Sequence, residues 1–170
     1  QISTDEFAEA VNTINNARKI YILGVRSSAS LASFLYFYLN PVFENVVLID
    51  TSSGSEMFEQ MFRISNEDVC VAISFPRYSK QTINALRFIN DRGANIISIT
   101  DSAVSPIAEF SDTLLVAKSD IVSVVDSLVA PLSLINALIV AVGMNNREIV
   151  SRNFEKLEQI WDEYEVYDKK

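Results

Sequence analysis

The 170 residues carry 14 lysines and arginines against 22 acids, a net charge of −8, and 49% of them are apolar. That balance excludes a disordered chain, and it excludes nucleic-acid binding by this chain alone, because such affinity comes from basic side chains that neutralise phosphates. With no histidine and a single cysteine, the commonest metal ligand, the commonest general base and any disulfide framework are missing, so one metal-free domain over residues 1–170 in a reducing cytoplasm is the expectation.

Residues 1–18 are polar and amphipathic, unlike a signal peptide. Ser3-x-x-Glu6 is a capping-box signature ahead of Phe7, Ala10, Val11 and Ile14, which share one helical face. The start at Gln1, close to a helix, leads to the expectation of a fragment cut from something longer. Five continuously apolar runs then read as strands buried on both faces, namely Ile20–Leu23, Val46–Ile49, Val69–Ile73, Ile96–Ile99 and Thr113–Val116. Cys70 lies inside the third and reads as a small buried thiol.

Between the strands the pattern turns helical. Leu31, Phe34, Leu35, Tyr38 and Leu39 repeat on one face, and Asn40-Pro41 ends that helix. Ser55–Ile64 forms a shorter helix, and Ser79 caps another that carries Ile83, Leu86 and Ile89, with Gly93 just past its end. Ser105–Phe110 supplies at most two turns. An apolar helix from about Val122 to Gly143 follows, with a kink at Pro131; Pro131, Ser133 and Asn136 and its short reach argue for a buried helix over a membrane span. Residues 147–165 close the chain as an amphipathic helix with Ile149, Phe154, Leu157, Ile160 and Trp161 on one side.

Alternating strands and helices imply an α/β fold, a three-layer αβα sandwich around a five-stranded parallel sheet with right-handed crossovers. The order 2-1-3-4-5 puts a topological switch between strands 1 and 3, and ligands bind beyond the carboxyl ends there. The loops after those two strands read Gly24-Val25-Arg26-Ser27-Ser28 and Ser74-Phe75-Pro76-Arg77-Tyr78-Ser79. Hydroxyls of Ser27, Ser28, Ser74 and Ser79, free amides at two helix N-termini, and the guanidinium groups of Arg26 and Arg77 suit a phosphate or carboxylate. Each serine taken singly is also a plain N-cap; the pairing at the switch point favours binding. No GxGxxG or GxxxxGK[ST] is present, which removes a dinucleotide fold and a P-loop.

These loops, together with Ile99-Thr100-Asp101-Ser102 and the closing helices, resemble the SIS (sugar isomerase) domain over essentially the whole chain, in the version found in RpiR-type bacterial transcriptional regulators. The resemblance implies a flavodoxin-like phosphosugar-binding domain without a cofactor, with Ser27, Ser28, Ser74 and Ser79 as phosphate contacts and an N-terminal helix-turn-helix domain preceding it. Where the family's second loop commonly reads Ser-x-Ser-Gly-x-Ser/Thr, this chain has Pro76 and Arg77 at the central pair, and Arg26 stands where many members have glycine. Proline removes an amide donor and arginine resists a conformation glycine allows, so a weakened backbone cradle with two added cations is expected.

Three functions fit this reading. A noncatalytic sensor of an anionic carbohydrate, working as a homodimer away from membranes, is the first. A sugar-phosphate isomerase is the second, with Glu56 as the base and Asp101 as a weaker candidate; as structural residues these two are a first-turn helix acid and a turn-former. The third is an oligomerisation module built on residues 122–143 and 147–165.

Overall fold

A computed structural model describes residues 3–119 and 127–168. Its five parallel strands are β1 (Ile20–Gly24), β2 (Val46–Leu48), β3 (Val69–Ile73), β4 (Asn95–Thr100) and β5 (Thr113–Val116), in the order β2-β1-β3-β4-β5. The helices are α1 (Thr4–Asn16), α2 (Ser28–Leu39), α3 (Gly54–Met61), α4 (Lys80–Asp91), α5 (Val129–Asn145) and α6 (Arg147–Glu163), with a 3-10 turn at Ala108–Phe110. The architecture is the expected αβα sandwich.

The apolar runs divide by parity between two cores. Ile20 and Ile22 of β1 and Val69, Val71 and Ile73 of β3 pack with Ile14, Leu35 and Leu138 of α1, α2 and α5. Tyr21 and Leu23, with Cys70 and Ala72, pack on the other face with Met57, Met61, Leu86 and Ile89 of α3 and α4. Each strand therefore buries both of its faces, which is why its sequence is continuously apolar instead of alternating. Burial alone pushes the Cys70 thiol up to about 12, so it stays protonated and unreactive.

The register Ile20↔Val69 and Gly24↔Ile73 sets the ends of β1 and β3 side by side. Local chemistry fixes where each element stops. Ser3 Oγ accepts the Glu6 amide at 3.4 Å and caps α1. Gly93, at φ +73°, takes the left-handed position that closes α4. At the opposite end of the sheet, Arg18 forks onto the fully buried carboxylate of Asp68, with Nε 3.0 Å from Oδ1 and Nη2 2.7 Å from Oδ2. Asp68 also accepts the Ser65 amide at 2.9 Å, closing the turn that leads into β3.

Two expectations about helices are corrected. The short helix ends at Met61 and does not reach Ile64, which instead bonds back through its amide to Met61 O at 2.9 Å. Pro131 does not kink α5; it stands in the first turn, where a missing N–H costs no helical bond. Residues 122–126 of the segment expected to precede it lie outside the described residues. Finally, α6 turns 97° away from α5, and none of its residues is fully buried. Among the described residues no single helix is long and apolar enough to cross a membrane.

Candidate functional site

The loop after β1 begins with a steric demand. A Cβ on Gly24 would lie 2.5 Å from the Ser28 carbonyl oxygen and 2.8 Å from Ala32 Cβ, so only glycine lets α2 start this close to the strand end. The chain then turns through Val25, Arg26 and Ser27. The Ser28 amide donates to Val25 O at 3.2 Å and the Ala29 amide to Arg26 O at 3.0 Å. Arg26 adopts φ +58°. Ser27 makes no capping bond to its helix through its side chain, and Ser28 is 5% exposed.

The loop after β3 is held at three points. The Ser74 amide donates to Ile99 O of β4 at 3.1 Å, and Phe75 is buried in the core beneath. Arg77 adopts φ +65°. Tyr78 Oη donates to Asp101 Oδ1 at 2.6 Å, which ties this loop to the end of β4. Burial, with the Asp101 carboxylate second, pushes the Tyr78 phenol up to about 12, so it remains a donor across the physiological range. Ser79 Oγ accepts the Gln81 amide at 3.2 Å and caps α4, leaving the hydroxyl proton to be donated elsewhere.

Between the two loops lies a cleft of about 320 Å³ lined by Val25, Arg26, Ser27, Ser28, Ser74, Phe75, Pro76, Arg77 and Ser79. All the residues expected to contact an anion, Arg26, Ser27, Ser28, Ser74, Arg77 and Ser79, are therefore brought to one place. Among the described residues no acid lines it, and the cleft gathers two cations on a chain of net charge −8. Ser28 and Ser74 are nearly buried, at 5% and 4% exposure. Among the described residues the buried side-chain oxygens without a hydrogen-bond partner are Thr82 Oγ1 and Ser105 Oγ, and neither lines this cleft, although buried polar groups are normally paired.

Glu56 and Asp101 are not among the lining residues. Glu56 is exposed on the first turn of α3, and Asp101 is committed to Tyr78, with a second bond from Thr100 Oγ1 at 3.2 Å.

Two expectations about the loops are corrected. The Ser28 and Ala29 amides at the start of α2 are consumed by the turn and are not free. Arginine does not bar the left-handed conformation at 77 or at 26; both residues adopt it, at a cost of about 1–2 kcal/mol each that the surrounding packing must hold. The sequence reading also missed the pins around the cleft. Gln60 bonds the Asp50 amide at 2.8 Å and the Asp50 carbonyl at 3.0 Å, while Gln81 Nε2 donates to Thr51 O at 3.2 Å, tying the loop after β2 to α4. No local pattern announces such long-range amide bonds. At the Asx turn Asp50–Ser52 the Ser52 amide donates to Asp50 Oδ1 at 2.9 Å and, with the Ser52 side chain, holds the Asp50 carboxyl below its ordinary range; this turn has a local signal, which the sequence reading did not use.

A family model for the SIS domain matches residues 13–141, which takes in both loops and all five strands. The chain belongs to the SIS domain family. A curated relative of this SIS domain, an HTH-type transcriptional regulator of Haemophilus influenzae, is 28% identical over 65% of the chain and 38% of its own length. The chain thus spans about two fifths of the length of such regulators. A phosphoheptose isomerase of Bradyrhizobium is 32% identical, over 66% of the chain and 67% of its own length. Among solved structures, the sugar isomerase domain of the RpiR transcription factor from Sphaerobacter thermophilus superposes with a TM-score of 0.88 at 26% identity, covering 94% of this chain and 88% of that one. The Vibrio vulnificus NanR protein, complexed with ManNAc-6P, shares the fold with a TM-score of 0.80 at 19% identity, over 96% of this chain and 62% of its own.

Proposed function

We propose that this SIS domain is the ligand-sensing part of a transcriptional regulator and binds a sugar phosphate, or a related anionic carbohydrate, in the cleft at the carboxyl ends of β1 and β3. The observation that carries this reading is the convergence of Ser27, Ser28, Ser74 and Ser79 with two arginines on one cleft that has no acid among its described lining residues. A phosphate would accept from Ser28 and Ser74 and would be attracted by the local charge. The RpiR and HTH-type relatives support the regulator assignment, and the ManNAc-6P complex of NanR supports the ligand class. An N-terminal helix-turn-helix domain would then read DNA, which this acidic domain does not.

Sensing without turnover fits the cleft better than isomerisation, despite the phosphoheptose isomerase relative. Aldose–ketose isomerisation needs a base beside the reacting carbon; the described lining residues offer no carboxylate and the sequence holds no histidine. The regulator would work as a homodimer, matching the two-fold symmetry of a palindromic operator. Exposed Val140 and Met144 on α5 and Phe154 and Ile160 on α6 supply apolar surface for it.

Thermal unfolding with glucose 6-phosphate and with glucose tests the proposal. At a hundredfold excess over Kd the phosphorylated sugar adds about 2.7 kcal/mol, which is a rise of roughly 5–10 °C for a domain of this size. Glucose gives none, and Ser28→Ala reduces the shift. Sedimentation at micromolar concentration gives a dimer mass. The absence of stabilisation by any phosphorylated sugar contradicts the binding reading, and a monomer contradicts the dimer.

A further inference from the structure

The two arginines of the cleft are not equivalent. Arg77 already makes a contact within the chain. The Arg26 side chain makes no hydrogen bond or ion pair among the described residues, is exposed, and lines the cleft. It does so from a left-handed backbone at φ +58°, a conformation that disfavours any side chain with a Cβ and that glycine would adopt without strain. A guanidinium therefore sits at a cleft with no acid among its described lining residues, on a position where its backbone favours another residue.

The local donors explain what the charge is for. At the start of α2 the Ser28 and Ala29 amides are spent on Val25 O and Arg26 O, so two of the amides that a helix start usually offers an anion are taken. The side-chain donors on that wall are the hydroxyls of Ser27 and Ser28 and the fork of Arg26. The opposite wall has its own hydroxyls, Ser74 and Ser79, and its own cation, Arg77. A phosphate held between the walls by Ser28 and Ser74 would leave the exposed Arg26 fork for a second negative group in a cleft of about 320 Å³, and that volume is at the small end of ligand sites.

Building on the sugar-phosphate reading above, we infer that the ligand is a small polyol bearing two anionic groups, with Arg26 recognising the second, a carboxylate or a further phosphate. A guanidinium matches either oxyanion with two parallel N–H donors. A single phosphate on a neutral sugar would leave Arg26 unanswered and would bind more weakly.

Calorimetry at fixed ionic strength separates the cases, with glucose 6-phosphate, 6-phosphogluconate and fructose 1,6-bisphosphate as probes on the parent chain and on Arg26→Gly. Glycine removes the charge and keeps the backbone conformation accessible. The parent is expected to bind at least one of the two doubly charged probes about tenfold or more tighter than glucose 6-phosphate, as a charge-assisted bidentate contact would give. Whichever probe gains names the second group. Arg26→Gly loses that advantage, its affinity for the preferred doubly charged probe falling to within about threefold of its affinity for glucose 6-phosphate. Equal affinity for all three on the parent overturns this inference and leaves the sugar-phosphate reading standing, as does a preference that survives in Arg26→Gly. If none of the three binds, the sugar-phosphate reading itself fails.

Discussion

Gly24→Ala is expected to cost about 2–3 kcal/mol of stability and to abolish sugar-phosphate binding. The added methyl would meet the Ser28 carbonyl oxygen at 2.5 Å and the Ser28 carbonyl carbon at 2.9 Å. Backbone atoms cannot rotate aside as a flexible side chain would, so α2 as a whole must move away from β1. Overpacking of a close-fitted core costs typically 1–3 kcal/mol, and here the opposing group is rigid. The displaced helix carries Leu31, Ala32, Leu35 and Leu39 out of register with the sheet. It also moves Ser27 and Ser28 away from Ser74, so the cleft and the core fail together. Urea unfolding gives the first quantity and calorimetry with glucose 6-phosphate the second. A variant with parental stability would mean that α2 is not seated against Gly24.

Asp68→Ala is expected to lose stability without losing the ligand. The Asp68 carboxylate is fully buried and accepts from Arg18 Nε and Nη2 and from the Ser65 amide. Removing it strands the Ser65 amide in a turn whose geometry it defines, and an unsatisfied buried donor costs roughly 1–3 kcal/mol. The Arg18 side chain is half exposed and recovers water, so it adds little. A loss of about 2 kcal/mol in urea unfolding is the expected result. Since Asp68 stands before β3, at the end of the sheet away from the cleft, affinity for glucose 6-phosphate stays at the parental value once the domain is folded. A weakened affinity in this variant would show that the two ends of the sheet are coupled.

The contrast between these two positions separates what the sequence made legible from what it did not. The strands were readable to within a residue or so because parallel strands covered on both faces must be apolar throughout, as in Val69–Ile73. Their order followed from the alternation of elements, and the order located the cleft. Hydroxyls and cations in the two loops could be listed from residue types alone.

Conformation could not. Nothing in Gly24-Val25-Arg26-Ser27-Ser28 reveals that the turn consumes the Ser28 and Ala29 amides, because 3-10-like turns and open helix starts use the same residues. The left-handed arginines ran against local preference, and tertiary packing overrode it. The bond from Tyr78 to Asp101 joins residues on two different loops, and Asp101 taken alone suited either a catalytic or a turn role. The closing helix had a clear apolar side, yet amphipathicity states only that a helix needs a partner surface, not that its own domain supplies one.

All of this depends on one claim about the cleft between the loops after β1 and β3: that it holds an oxyanion. Anomalous diffraction from crystals soaked in selenate locates such a group directly. The account predicts a selenium peak placed so that selenate oxygens lie about 2.5–3.0 Å from the Ser28 and Ser74 hydroxyls, absent from Ser28→Ala crystals treated in the same way. Selenate peaks confined to other parts of the surface, with the cleft filled only by water, would contradict it.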